Sequence, residues 1–461
     1  MQSGYRWNGA TRASFKLHGA GGVCTPGSGN QPVTVLQVHL STSVHSLLAG
    51  HADLRYESGV KKLGRRLLWL SLFAPFFAGA QIDPVRRDLI QFGFNQALEG
   101  HAPFAGYAFY YHNQPDFLRT NLTLRLALAP VYLDSELGFA HGLGPNTDFA
   151  IGLAGGGFAE GYNEIRGGKF ISAESFAGHG GEISASVYHL FNPADEIPLN
   201  LIVRGMAHYS IFERNDNTAP NFQLPSDRGE LSVRTGLRWG GIEPTLFPAL
   251  AMELSAWYEG EFRTDSGAYG FGGDRELNPS SHLFWTEAAL SYTLPKSRQN
   301  FSAHLTAGTS VNADHSSAYR LGGFLPLVSE FPLTLPGFYY QEISARQFVL
   351  LNASYLMPLD KSQLWYLDAN VSSAFVDYLP GEAQPGNWLN GVGGGIMYRS
   401  PSGRFKIVLD YAYGIDAIRS DGRGANSIGI LMQWDLGKPY GEKLNPAQPN
   451  RWRGWQWFMP N

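Results

Sequence analysis

From Ala105 onward, apolar and polar residues take turns along the chain. In ELSVRTGLRW, Leu231, Val233, Leu237 and Trp239 fall on one face, and Ser232, Arg234, Gly236 and Arg238 on the other. LAMELSAWYEGEF sets Leu250, Met252, Leu254, Ala256, Tyr258 and Phe262 against Glu253, Ser255, Glu259 and Glu261. Phe301, Ala303, Leu305, Ala307 and Val311 oppose Ser302, His304, Thr306 and Ser310, and Phe405, Ile407, Leu409, Tyr411 and Tyr413 oppose Lys406 and Asp410. The last run sets Ile428, Ile430, Met432, Trp434 and Leu436 against Gly429, Gln433 and Asp435. A period of two means extended strands, because successive side chains point to opposite sides of the pleat.

Such strands fit a soluble sandwich or barrel with an apolar interior, or a membrane barrel with an apolar exterior. Many of the runs reach about a dozen residues, where ordinary strands have about 5–6 and tilted membrane strands about 9–11. The polar face carries full charges strand after strand, among them Arg234, Arg238, Glu253 and Asp410, which suits a wet lumen with paired charges. Connections alternate as well. Read backwards from the last strand, GIDAIRSDGRG is long, SPSG short, LPGEAQPGN long, LDKS short and residues 312–344 very long. PKSRQ is short, 263–281 long, GGIEPTLFP shorter, 213–227 long and NPADEIP short. Short periplasmic turns and longer external loops are the rule for outer-membrane barrels. The expected fold class is therefore all-β: a closed transmembrane antiparallel β-barrel of about 14–16 strands, even in number, with both ends in the periplasm. About fourteen strands are legible between Ala105 and Leu436, and QIDPVRRDLIQFGFNQALEG reads as a short helix or as one more strand or pair.

Composition agrees. Charged residues are 16% of the chain and aromatics 13%, with 55 glycines, and a net charge of −4 gives no basic footprint for nucleic acid. In VKKLGRRLLWLSLFAPFFAGAQ, Lys61, Lys62, Arg65 and Arg66 precede the apolar run Leu67 to Phe77, and Ala78-Gly79-Ala80 follows it before Gln81. This is the order of an export signal, too short in its apolar part to span a bilayer. Val60 can be encoded by GTG, a start codon in bacteria, so residues 1–59, which hold the single cysteine Cys24, read as an upstream extension. The expected organisation is 1–59 extension, 60–80 signal, 81–104 a short N-terminal segment, 105–437 the barrel and 438–461 a periplasmic tail. With no cysteine after Gln81, disulfides cannot hold the exported chain together.

Residues 312–344 form the longest connection, and a loop of this length is usually functional or disordered. Leu321, Phe324, Leu325, Leu327, Leu335, Phe338, Tyr339 and Tyr340 make it too apolar to remain solvated. It should fold into the lumen or over the barrel mouth, turning at Gly322-Gly323 and Pro336-Gly337.

Here the sequence resembles the C-terminal barrel of the bacterial surface antigen superfamily, which includes assembly and translocation factors of the BamA and TamA type and two-partner secretion transporters. The resemblance covers roughly residues 280–437. Arg320, Leu321, Gly322 and Gly323 stand where the family's long loop enters, and Leu335, Pro336, Gly337 and Phe338 stand at its tip. FVLLNASYLMPL resembles the twelfth-strand ending through Asn352, Tyr355, Pro358 and Leu359. WYLDAN resembles the thirteenth-strand motif through Tyr366 and Asp368, with Asn370 in place of a glycine. GVGGGIMYRSPSGRFKIVLDYAYG resembles the fourteenth and fifteenth strands with their Ser-Pro-x-Gly turn. The resemblance implies sixteen strands with the long loop between the eleventh and twelfth. It also implies a weak seam between the first and last strands, the latter carrying Ile428, Ile430, Met432 and Trp434. Implied partners are outer-membrane lipids and unfolded outer-membrane or secreted proteins, with no cofactor, metal or enzymatic activity.

Two departures stand out. Pro336 replaces the loop arginine that would pair with Asp368, leaving Arg320 or Arg346 as the expected cation, and Ser354 replaces a glutamate. Too few residues lie between Gln81 and the first strand for POTRA domains, so a POTRA-less member is expected, assisting insertion or transport of protein or lipid at the outer membrane. The competing readings are a passive pore for small solutes and a structural surface barrel. An embedded hydrolase is disfavoured, because His179 and Ser184 differ in strand parity, although His189, Ser186, His208 and His304 are also present. The glycines of LAGGGFAEGYNEIRGG precede no helix and so form no phosphate cradle. Trp452, Trp455, Trp457 and Phe458 in the tail read either as an interfacial anchor or as a solvated extension.

Overall fold

The computed structural model describes residues 85–437, apart from 158, 159, 196, 243–245, 247–249, 328, 330 and 421. The expected extension, export signal and aromatic tail lie outside these residues. Sixteen long strands form one antiparallel sheet. They are β1 (Arg87–Ala97), β2 (Ala105–Pro115), β3 (Leu122–Ala129), β4 (Tyr132–Phe139), β5 (Thr147–Gly156), β6 (Phe176–Leu190), β7 (Leu199–Arg214) and β8 (Arg228–Gly241). The second half comprises β9 (Leu250–Arg263), β10 (Ser280–Thr293), β11 (Asn300–Val311), β12 (Ile343–Pro358), β13 (Trp365–Tyr378), β14 (Trp388–Arg399), β15 (Phe405–Arg419) and β16 (Gly422–Asp435). Each strand pairs with its sequence neighbours, and β1 also pairs with β16, from Leu89↔Asp435 to Ala97↔Ser427. The sheet is thus a closed barrel, with the long loops at one end and the short turns at the other.

The alternation decides which face is which. Leu231, Leu237, Leu254, Leu305, Leu409 and Trp434 point outward, while Ser232, Arg234, Glu253, Glu259 and Asp410 are buried inside. Inverting this order would put charges where nothing could solvate them.

Three sequence expectations change. The segment 81–104 contains β1, a single strand, so the barrel begins at Arg87 and not at Ala105. Between Ala105 and Leu436 there are fifteen strands rather than about fourteen; β3 and β4 are joined by Pro130 and Val131 alone. GIDAIRSDGRG is mostly not loop. β15 and β16 continue through it to Arg419↔Gly422, past an irregularity in register after Gly414 that lets a polar stretch remain paired. Pairing at the seam is as long as that of β1 with β2, longer than that of β2 with β3 and shorter than that of β15 with β16.

Leu305 sits mid-strand on the outer face of β11. Leu305→Arg should cost about 2–4 kcal/mol of folding stability in lipid, and Leu305→Ile under about 1.5 kcal/mol. Reversible urea unfolding in phospholipid vesicles measures both.

Candidate functional site

The connection between β11 and β12 turns back into the barrel from its first residues. Asp314 accepts hydrogen bonds from the Ser316 amide and hydroxyl (2.8 and 2.7 Å), and the Arg263 guanidinium holds its other oxygen at 2.7 Å. Tyr319–Leu321 then adds a short strand to the start of β12. Gly322 and Gly323, at φ 141° and 72°, reverse the chain. The returning arm is bonded to them, Leu333 through its carbonyl and Leu335 through its amide.

Apolar side chains of the loop complete a core inside the barrel. Leu321, Leu325, Leu335 and Phe338 are at most 1% exposed. Phe331 meets Trp257 and Trp285 edge-on, at 5.1 and 5.3 Å between ring centroids. The tip lies flat on the wall because the wall is bare there. A Cβ on Gly391 of β14 would collide with the Pro336 carbonyl, and a Cβ on Gly337 would collide with the Gly414 backbone of β15. Gly337 also needs its own lack of side chain to hold φ 85°.

One ion pair fixes the arm. Arg419, near the loop end of β15, donates two hydrogen bonds of 3.0 Å to the Glu342 carboxylate, and its guanidinium lies 3.7 Å from the centre of the Tyr339 ring. Both side chains are almost completely buried. A bidentate guanidinium–carboxylate pair stacked on an aromatic face is a geometry that lysine cannot reproduce. The polarity is opposite to the one the resemblance implies: the carboxylate is on the loop and the guanidinium on the wall. Nothing in the sequence singles out Arg419, because it lies in GIDAIRSDGRG, whose composition is that of a loop.

Neither expected cation reaches Asp368. Arg320 donates instead to the Gln341 carbonyl (2.9 and 2.6 Å) and to the Asn163 carbonyl (3.4 Å), stapling the loop to itself and to its neighbour. Arg346 pairs with Asp377 at 2.6 Å near the surface. Asp368 is buried in the lumen beside Asn370, whose amide nitrogen reaches both Asp368 (3.4 Å) and Asp410 (3.2 Å). The two carboxylates flank Gly395, the register partner of each. Tyr366, two residues further toward the short turns, is buried among Leu89, Leu356 and Met397. Ile428, Ile430, Met432 and Trp434 lie opposite Gln96, Phe94, Phe92 and Ile90 across the seam, on the outward side of β16. The structure thus brings the loop and the thirteenth-strand motif to one inner wall and leaves the four seam residues facing out.

The lumen is filled from the other end as well. Leu246, in the turn between β8 and β9, reaches the opposite wall, where its amide donates to Gln433 (2.9 Å) and its carbonyl accepts from Lys406 (2.6 Å). Above the barrel, the other long loops build a cap around Tyr162, Phe176, Phe212, Phe222, Tyr269 and Leu277. Within it Arg275 bonds Glu174 at 2.5 Å and lies 4.4 Å from the Phe222 ring centre; burial pushes its guanidinium down to about 10. Burial, with Glu382 nearby, raises Glu164 well above the ordinary carboxylate value, despite the Arg166 guanidinium at 3.1 Å. His179 faces the opposite side of β6 from Ser184 and meets Glu213 at 3.5 Å. Among the described residues, no group of three or more His, Cys, Asp or Glu is placed to hold a metal.

No family model matches the chain, and neither does any curated protein. Among solved structures it is similar to CdiB from Acinetobacter baumannii, at 8% identity over 76% of this chain and 60% of that one, with a TM-score of 0.49. BamA from Haemophilus ducreyi lacking POTRA domains 1–3 matches at 13% identity over 76% and 71%, with a TM-score of 0.47. CdiB from Escherichia coli matches at 10% identity over 75% and 63%, with a TM-score of 0.49. The chain thus spans less than two thirds of the length of either CdiB chain.

Arg419→Met leaves Glu342 buried without its partner and should destabilise the seated loop by about 3–5 kcal/mol, with Arg419→Lys restoring little of it. Gly391→Val should unseat the tip by occupying its place. In both variants, amides of residues 333–342 should lose hydrogen-exchange protection while the barrel keeps its heat-modifiable mobility on gels. Glu164 has a folded pKa above its unfolded one. Its contribution to the cap is therefore full below the ordinary carboxylate range and is lost as pH rises through the raised value. Exchange within 160–175, corrected for intrinsic rate, should be slower at about pH 5 than at about pH 8, and Glu164→Gln should abolish that difference.

Proposed function

We propose that this chain is an outer-membrane barrel of the surface-antigen type, which assists insertion or translocation of protein, or of lipid, at the outer membrane of a Gram-negative-type bacterium. The short turns then face the periplasm and the cap faces outward. The observation that carries the reading is the connection between β11 and β12 folded inside a sixteen-strand barrel and locked there by Arg419 and Glu342. A loop merely covering a pore would need neither a bare glycine seat nor a buried ion pair. The sequence motifs at 320–323, 335–338 and 366–370 support the same reading independently of the fold.

In this reading the loop is a movable plug. Displacing it exposes a polar lumen and removes the inner support of β14 and β15, next to the seam. Client strands or lipid would be handled at that wall, using backbone pairing rather than a catalytic group. A passive pore is the weaker reading, because a conducting path would have to pass Leu321, Leu325, Leu335 and Phe338 from one side and Leu246 from the other.

Planar-bilayer recordings and client assays test the proposal together. The intact protein should give small, fluctuating currents, and deletion of residues 321–340 should change them strongly. Reconstituted vesicles should fold an added unfolded outer-membrane protein faster than empty vesicles do. A large steady conductance with no effect on any client would establish the pore instead.

A further inference from the structure

The backbone pairing of β1 with β16 stops at Ala97↔Ser427. Just beyond it, one more backbone bond and the Glu99 side chain continue the closure. The Leu98 amide donates to the Asn426 carbonyl at 2.8 Å. The Glu99 carboxylate takes hydrogen bonds from both the Asn426 amide nitrogen (2.5 Å) and its side-chain nitrogen. The Asn426 side-chain oxygen is in turn engaged by the Tyr411 hydroxyl, which fixes the orientation of the group. One carboxylate on the β1 side thus clamps Asn426 of β16.

This clamp touches the loop. The Tyr339 hydroxyl donates to the Glu99 carbonyl at 2.9 Å, and the Tyr339 amide donates to the Glu342 carboxylate at 2.8 Å. The face of the same ring lies against Arg419. Gly100 allows the approach: it holds φ 74°, and a Cβ there would collide with the Tyr339 hydroxyl. An unbroken chain therefore runs from the buried lock to both sides of the seam, through Glu342, Arg419, Tyr339, Glu99 and Asn426.

We propose that Tyr339 and Glu99 form a latch through which the seated loop holds the loop-side end of the β1–β16 seam shut, so that unseating the loop frees that end of the seam. The inference rests on the functional reading above and specifies how its site is regulated. The geometry makes the coupling local. At the other end of the seam, Gln91 and Gln433 bridge the strands at 3.0 Å, and Gln433 is tied to Leu246 of a different turn. Loosening the loop should therefore fray one end of the seam and spare the other. Linkage also requires reciprocity: whatever factor the seated loop adds to seam closure, seam closure adds to loop seating. Arg419 and Tyr339 act by position, since neither needs to touch a client.

Hydrogen exchange on the full chain in lipid nanodiscs tests this. Tyr339→Phe removes one hydroxyl and keeps the ring against Arg419, so folding is not at stake. It should speed exchange of the amides at Leu98 and at 426–428 about three- to tenfold, the size expected for one lost hydrogen bond, and leave 89–91 and 433–435 unchanged. Arg419→Met should do at least as much, and adding Tyr339→Phe to it should change little more, because one path carries both effects. Unchanged exchange in Tyr339→Phe would overturn the latch, as would fully additive effects or equal fraying at both ends. The client-folding assay separates this from the wider reading. Loop-dependent client folding without selective fraying rejects the latch alone, whereas selective fraying with no client effect rejects the assembly role alone.

Discussion

Hydrocarbon offers a backbone no hydrogen-bonding partner, so a sheet placed in it must leave no unpaired edge. Every other feature of this molecule follows from that requirement being met where β1 meets β16. Closure turns the strands' apolar residues outward to lipid and their charged residues inward. It also creates an enclosed volume that the strands' own side chains do not fill. The pairing that closes the barrel runs without a break in register from Leu89↔Asp435 to Ala97↔Ser427.

The enclosed volume is filled by the protein's longest connection. The wall has committed most of its large apolar residues to the lipid face, and the loop returns apolar mass to the inside through Leu321, Leu325, Phe331, Leu335 and Phe338. It can lie close because the inner faces of β14 and β15 are flattened by Gly391 and Gly414. The same glycines that weaken a strand by lacking packing surface here provide a seat. From the other end, Leu246 is buried and bonded to Gln433 on the opposite wall.

Charge inside the barrel is handled by pairing at close range. Glu342 with Arg419 and Glu259 with Arg234 are buried ion pairs, and Arg263 is shared among Glu230, Glu261 and Asp314. Asp368 and Asp410 differ: Asn370 bridges them and no basic side chain is within ion-pair distance among the described residues. The wall carries Asp368, the carboxylate that the resemblance associates with the loop, while the loop is locked by Arg419 at the top of β15. The position of that lock, next to the seam, lets a single tyrosine connect the two.

The sequence by itself determined the fold class and which face of each strand meets lipid. Both are written in a period of two, and a one-residue slip in register would reverse every side chain at once. It also determined the place of the long loop and its glycine turns, because loop length and glycine are local properties. The tertiary structure alone decided what the loop is locked to. Arg419 and Glu342 are 77 residues apart, and nothing local distinguishes Arg419 from other charges in GIDAIRSDGRG. That stretch reads as loop because its charge masks strand pairing, which depends on a partner strand rather than on its own pattern. The seam latch is hidden for the same reason: Glu99, Tyr339 and Asn426 come from three distant segments, and only closure of the barrel brings them within hydrogen-bonding distance.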